Sequence, residues 1–213
     1  MQRTKKARPL VAICATALLA ALAVVLYALG FPLFPAAPFL QLDFSDVPAL
    51  VAALVFGPIY GVAVNFIQNF IGLISGSFAA HAGMGNLMNF VVGAAFVVPY
   101  AIIMCRAASR RSQLAHTTGA LANERPAKQR GMRFVQAKAS VIGMLSIIIV
   151  GFGMNTIVMP LFFRFYGNMA PADIWPMVWG TIWFATALNA IKGVMLTVAG
   201  AAIMRIQKRL RLF

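Results

Sequence analysis

Long apolar runs, separated by short polar or Gly- and Pro-rich breaks, make up most of this chain. Unbroken runs of about 20 residues are typical of helices that cross a bilayer, whereas barrel strands alternate apolar and polar positions. We therefore predict an all-α polytopic membrane protein, a single domain over residues 1–213 with six transmembrane helices. The helices are predicted at residues 10–29, 47–57, 61–74, 86–105, 139–161 and 176–204, with a basic loop at 106–138.

The second and third predicted helices are short, and Gly57-Pro58 separates them. Proline fixes φ and lacks an N–H, so this pair predicts a tight turn, after which Gly61 lets the chain restart in close packing. At 1.5 Å per residue, such helices span only about 15–21 Å of a hydrocarbon core of roughly 30 Å. We expect the longer neighbours to leave a recess there, which is a candidate pocket.

Composition and charge support this interpretation. Apolar residues make up 62% of the chain and charged residues 10%, which excludes an ordinary soluble domain. Lysine and arginine cluster before residue 10, at 106–138 and at 205–211. Because such clusters stay on the inner side, we expect both termini and the 106–138 loop to be cytoplasmic, with the loop lying disordered on anionic lipids.

The segment 40–48 (LQLDFSDVP) contains Asp43 and Asp46, which are two of the four acidic residues in the chain. We expect it to form the lip of a ligand pocket where the membrane meets water. Asp46 is placed to cap the second helix, and Ser45 can do the same, since a carboxylate or hydroxyl accepts the free N–H groups there. Asp43 is either a gate or a cap. The lip residues expected to face the ligand are Leu40, Leu42 and Phe44.

Lys192 lies near the middle of the sixth predicted helix, where an ionised lysine costs about 2.5–3.5 kcal/mol unless it is paired or hydrated. It therefore needs a partner or a ligand. Asn189 lies three residues earlier on the same helix face. Three further asparagines can face the same external cavity, namely Asn86, Asn89 and Asn155. Hydrogen bonding between helices is the alternative role for these amides, and it is the preferred one for Gln68 and Asn69.

No motif for catalysis occurs in the sequence. A Walker-type glycine loop, a His-Glu metal motif and a Ser-His-Asp set are all missing, so we expect no enzyme activity, no metal site and no cofactor. Nucleic acid is not expected among the partners. Energised transport would need a separate motor, and the small-xxx-small pair Ala17 and Ala21 offers a face for a partner helix.

Three stretches resemble a known family: LQLDFSDVPALVAALVFGPIYGVAVNFIQNF, GNLMNFVVGAAFVVP and LNAIKG. They are similar to the riboflavin-binding S component, or substrate-specificity subunit, of energy-coupling-factor (ECF) vitamin transporters. The resemblance implies a six-helix subunit of the bacterial plasma membrane that captures riboflavin from outside with high affinity. It also implies a membrane-embedded coupling subunit and two cytoplasmic ATPases as partners.

The resemblance also bears on single residues. Asn189 and Lys192 match the N-x-x-K of the family, and Asn155 falls where its fifth helix supplies an asparagine to the flavin. Asn86 replaces a usual glutamate and Gln68 a common lysine, which a compensated loss of an ion pair would explain. Thiamine, biotin or FMN as the ligand are the alternatives on the same scaffold, and a stand-alone membrane channel or enzyme is the alternative of another class.

Overall fold

The computed structural model describes residues 9–77, 83–118, 125–165 and 167–209, and these ranges contain six α-helices. Their bounds are α1 Pro9–Ala28, α2 Asp46–Val55, α3 Pro58–Gly72, α4 Met84–Thr118, α5 Arg125–Phe165 and α6 Pro171–Arg209. A π-helical turn, Leu73–Ser77, extends α3. Five of the helices are long and apolar enough to cross a membrane, and α2 is the short one. The predicted all-α membrane fold is confirmed.

The connection from α1 to α2, residues 29–45, is here called the lip. It contains two very short antiparallel strands, β1 Phe31–Pro32 and β2 Gln41–Leu42, in which Phe31 pairs with Leu42. Its apolar residues pack against the last turns of α5 and the first turns of α6, where Ala37, Leu40 and Leu42 share a buried cluster with Met159, Phe163 and Val178. The lip is therefore attached to the last two helices.

The predicted turn between the second and third helices is confirmed. Gly57 has a φ of 118°, a conformation that glycine adopts without a Cβ clash, and α3 begins at Pro58. A Cβ on Gly61 would lie 2.5 Å from the Cβ of Ala53 and 2.7 Å from the carbonyl oxygen of Ala49. The backbones of α2 and α3 are consequently in close contact at Gly61, where a larger residue would not fit.

The predicted basic loop at 106–138 is wrong over most of its length. Helix α4 continues to Thr118 and α5 begins at Arg125, while residues 119–124 lie outside the described ranges. Alanine, arginine, lysine and glutamine are all good helix formers, and a helix that is already nucleated in the membrane grows at low cost. The segment therefore extends the two helices.

The connection between α5 and α6 is also shorter than predicted. Helix α5 runs to Phe165, and α6 starts at Pro171, a residue suited to a first helical position. The main buried cluster surrounds α2 and includes Leu50, Phe96 and Tyr100. This core fixes α2 against α4 and thereby places the beginning of α2 beside the lip.

Candidate ligand-binding site

A cavity of about 430 Å³ lies between the lip, the end of α1, the start of α4 and the facing stretches of α5 and α6. Its volume is within the range of small-molecule sites, and like them it combines apolar walls with a few polar groups. The lining residues are Tyr27, Ala28, Phe39, Leu40, Gln41, Asp43, Met84, Gly85, Asn86, Met88, Asn89, Val92, Asn155, Val158, Met159, Phe162, Ala185, Leu188, Asn189 and Lys192.

A buried ion cluster forms one side of the cavity. The Lys192 ammonium lies 2.8 Å from Oδ2 of Asp46 and 3.5 Å from Oδ2 of Asp43, and it donates a hydrogen bond of 2.5 Å to Oδ1 of Asn89. All three charged side chains are at most 5% exposed. The partners that the sequence predicts for Lys192 are therefore the carboxylates of Asp43 in the lip and Asp46 at the start of α2.

The prediction that Asp46 and Ser45 cap α2 is wrong. Ser45 occupies the N-cap position but makes no side-chain cap hydrogen bond, and Asp46 lies in the first turn with its carboxylate directed to Lys192. An ammonium in hydrocarbon attracts a carboxylate more strongly than backbone N–H groups do. Asp43 likewise pairs with Lys192 and does not act as a cap.

Glycine at position 93 makes room for this cluster on α4. A Cβ there would lie 2.3 Å from Oδ1 of Asp46 and 2.7 Å from Nδ2 of Asn65. The carboxylate of Asp46 thus packs directly against the backbone of α4, and its residue is fully buried.

The cluster belongs to a closed polar ring, which consists of Asp43, Ser45, Gln68, Asn69, Asn89 and Lys192. Beyond Lys192, Nδ2 of Asn89 donates to Oδ1 of Asn69 at 3.0 Å. On the other side, Asp43 accepts from the Ser45 hydroxyl, which itself accepts from Nε2 of Gln68 at 2.7 Å. Because Gln68 and Asn69 are neighbours on α3, the ring links the lip, α3, α4 and α6.

Gln68 and Asn69 therefore have the predicted role of hydrogen bonding between helices. Asn86 has separate partners: it accepts a hydrogen bond of 2.8 Å from the Tyr27 hydroxyl and donates one of 3.0 Å to the carbonyl of Asn69. Gln68 bonds to Ser45 instead. Gln68 and Asn86 thus have separate hydrogen-bond partners in this chain, and the compensated loss of an ion pair stays a prediction, with a shifted preference among flavins as its alternative.

Asn155 and Asn189 face each other across α5 and α6. Nδ2 of Asn155 donates to the Gly151 carbonyl at 2.6 Å, and a Cβ on Gly151 would lie 2.2 Å from Nδ2 of Asn189. Within the described part of the chain, the buried Oδ1 of Asn155 has no hydrogen-bond partner. Both amides line the cavity, so the free acceptor of Asn155 is available to a donor in a ligand.

The predicted site residues divide into two groups. Leu40, Asp43, Asn86, Asn89, Asn155, Asn189 and Lys192 all line the cavity. Leu42 and Phe44 do not, which corrects their predicted place in its wall. Leu42 packs in the buried cluster of the lip, and Phe44, which lies in the bend after β2, is 47% exposed.

Several lining residues were not predicted. They are the aromatic residues Tyr27 and Phe162 and the methionines Met84, Met88 and Met159. Sequence gave one usable signal, the spacing of four between Met84 and Met88, which places both on one face of α4. Neither α2 nor α3 supplies any of these lining residues, so the walls of the cavity come from the lip and the longer helices α1, α4, α5 and α6.

The family model of the substrate-specific component of ECF transporters matches residues 12–203. This chain belongs to that family. A member of this transporter family with several apolar spans is a multi-pass protein of the bacterial cell membrane.

Two curated relatives and one solved structure are similar to this S component. The riboflavin transporter FmnP of Bacillus subtilis (strain 168) is 41% identical over 87 residues, which are 40% of this chain and 45% of FmnP. The riboflavin transporter RibU of Staphylococcus aureus (strain TCH60) is 40% identical over 86 residues, 40% of this chain and 44% of RibU. The matches thus span less than half the length of these relatives.

The solved structure is described as "Structure and mechanism of the S component of a bacterial ECF transporter". It superposes with a TM-score of 0.59 at 24% identity and covers 96% of this chain and 97% of the solved one. This likeness therefore concerns the fold of nearly the whole chain.

Proposed function

We propose that this S component captures riboflavin from outside the cell with high affinity and passes it across the membrane. In this proposal the energy comes from separate subunits, a membrane-embedded coupling protein and two ATPases. The observation that carries the proposal is the cavity, in which Asn155, Asn189 and Lys192 present directed polar groups between apolar walls. The names of the two curated relatives favour riboflavin among the vitamins.

The chemistry of the cavity suits a flavin. The ligand has a flat apolar ring system, a dione edge with one N–H donor and a chain of hydroxyls. The free Oδ1 of Asn155 can accept from that N–H, and the amide nitrogen of Asn189, which lines the same cavity, can donate to a carbonyl at that edge. Aromatic rings and methionine sulfur atoms form favourable contacts with a flat ring, and Phe39, Phe162 and Met159 supply them.

The absorption spectrum of the detergent-purified protein tests this proposal. We expect a yellow protein with flavin bands, and heat denaturation should release riboflavin that is identified by mass. Asn155→Leu should lose about tenfold or more in affinity, since an apolar side chain cannot accept the ligand N–H and a lost buried hydrogen bond of this kind costs about 1–3 kcal/mol.

The control is Thr156→Val, because Thr156 follows Asn155 on α5, loses a polar group at nearly unchanged volume and does not line the cavity. A colourless protein that ignores added riboflavin and binds thiamine or biotin would contradict the proposal. Preferential binding of FMN over riboflavin would change the proposed ligand while keeping the flavin class.

A further inference from the structure

The amide of Gln68 lies behind the cavity. Its residue is 0% exposed and does not belong to the lining, so it cannot touch a ligand there. It reaches the lip through one hydrogen bond, from Nε2 to the hydroxyl oxygen of Ser45 at 2.7 Å. Any effect of Gln68 on a bound ligand must therefore pass through Ser45.

The chemistry of the three groups fixes the direction of the hydrogen bonds between them. An amide nitrogen only donates and an ionised carboxylate only accepts, so the Ser45 hydroxyl must accept from Gln68 and donate to Asp43. The backbone N–H of Ser45 donates to the same oxygen of Asp43, Oδ1, at 2.9 Å. Two donors thus hold one carboxylate oxygen and leave Oδ2 facing Lys192.

We infer that Gln68 is a positioning residue that holds the lip over the cavity by orienting Ser45 and Asp43 toward the Lys192 ammonium. The inference rests on the proposed function. Its structural basis is that both ends of the polar ring meet on α3. Asn69, next to Gln68, accepts a hydrogen bond from Asn89, and Asn89 in turn accepts one from the Lys192 ammonium. Helix α3 is anchored to α2 by the close contact at Gly61, so it provides a rigid support for both ends.

The expected effect is on ligand release. Phe39, Leu40, Gln41 and Asp43 line the cavity from the lip, so a bound ligand leaves only when this segment moves. Movement of Asp43 away from Lys192 strains the bond between Ser45 and Gln68. Without that bond the lip opens more often, which raises the dissociation rate constant and leaves the association rate constant nearly unchanged.

The test measures riboflavin kinetics with purified wild-type protein and with Gln68→Met, which keeps the length of the side chain and removes its amide. Flavin fluorescence follows association on mixing, and dissociation is followed from the fluorescence of the riboflavin released after rapid dilution of the complex. We expect the dissociation rate constant to rise about tenfold in Gln68→Met. The matched control is Gln207→Met, because Gln207 is equally buried on α6 but lies 15 residues beyond Lys192, roughly 22 Å along the helix.

A second variant separates positioning from simple packing. Ser45→Ala removes the hydroxyl between Gln68 and Asp43 and should give a similar increase. The double variant Gln68→Met/Ser45→Ala should release riboflavin no faster than either single variant, since all three break the same path. Additive effects, or a rate constant in Gln68→Met within about twofold of wild type, overturn the inference.

Two further outcomes are also decisive. If Gln68→Met does not fold, Ser45→Ala decides alone: faster release supports the inference and unchanged release overturns it. Wild-type protein that binds no flavin overturns the proposed function, and the inference is then withdrawn with it. Failure of the inference alone is recognised by tight riboflavin binding in the wild type with unchanged kinetics in the variants.

Discussion

Lys192 illustrates how one charge organises its surroundings. Its ammonium is shared by two carboxylates, so the buried cluster of Lys192, Asp43 and Asp46 has a formal charge of −1 when all three are ionised. Removal of one member of a buried pair typically costs about 3–5 kcal/mol, because the remaining charge is left without compensation. A substitution of Lys192 therefore affects folding as well as binding.

Two variants separate the effect of Lys192 on folding from its effect on binding. We expect Lys192→Met to weaken riboflavin binding by about tenfold or more and to lower the thermal unfolding temperature, as the cluster then carries a charge of −2. The double variant Lys192→Met/Asp46→Asn returns the charge to −1 and should regain part of the stability. Titration of flavin fluorescence and thermal unfolding in detergent measure the two quantities. Recovery of full affinity by the double variant would show that Lys192 does not contact the ligand.

The sequence indicated which residues belong to the site better than it indicated what those residues contact. A single lysine in an apolar helix demands a partner, and Asp43 and Asp46 stood out as acids in an apolar surrounding. Their pairing joins residues almost 150 positions apart, and no local pattern encodes that distance. Local rules favoured capping for Asp46 because the first turn of a helix is where such residues commonly act.

Among the helices, the turn between α2 and α3 is predicted best from the sequence, and the ends of α4 and α5 are predicted least well. Gly57-Pro58 dictates a turn whatever surrounds it, because φ of 118° is open to glycine and the proline starts the next helix. The ends of α4 and α5 have no such marker. Basic residues indicate the side of the membrane, but they do not indicate where a helix ends, and the expectation of a disordered loop at 106–138 was therefore wrong over most of its length.

The close packing of α2 against α3 can be tested by adding a methyl group at Gly61. Gly61→Ala places a methyl group within 2.5 Å of the Ala53 Cβ and 2.7 Å of a backbone carbonyl, so α2 and α3 must move apart. Overpacking of this kind costs about 1–3 kcal/mol, and we expect a lower unfolding temperature in detergent together with weaker riboflavin binding. Gly180→Ala is the control, because a Cβ at that position meets nothing within 4 Å. Equal stability of the two variants would contradict the packing argument.

In the whole molecule, the contact between Asp46 and Lys192 accounts for both the shortness of α2 and the position of the cavity. The first turn of α2 is held at Lys192 by Asp46, so the lip reaches down to the middle of α6. From there the 10 residues of α2 span only about 15 Å, half of the hydrocarbon core. The cavity then occupies the other half, at the end of the molecule opposite the basic ends of α4 and α6. The cytoplasmic position of those ends, and the contact of the basic residues with anionic lipids, stay predictions.

A surface on α1 is the proposed contact with a partner helix. Ala17 and Ala21 are both exposed on α1, one turn apart, so their small side chains leave the backbone open to close approach by another helix. We expect Ala17→Leu/Ala21→Leu to reduce the ATPase subunits that copurify with the protein several-fold, because two isobutyl groups keep the partner helix away. The flavin absorbance per protein should stay unchanged, since neither residue lines the cavity.

Ala187→Leu/Ala202→Leu on α6 is the matched control for this surface. Both alanines are also exposed, but they lie on a different helix, so adding the same two isobutyl groups there should leave copurification intact. Loss of the ATPase subunits in both variants would indicate a general effect of bulk on the membrane-facing surface. Retention in both would place the partner contact elsewhere on the molecule. Only selective loss on α1, with riboflavin still bound, ties ligand capture and energy supply to two separate surfaces of one small subunit.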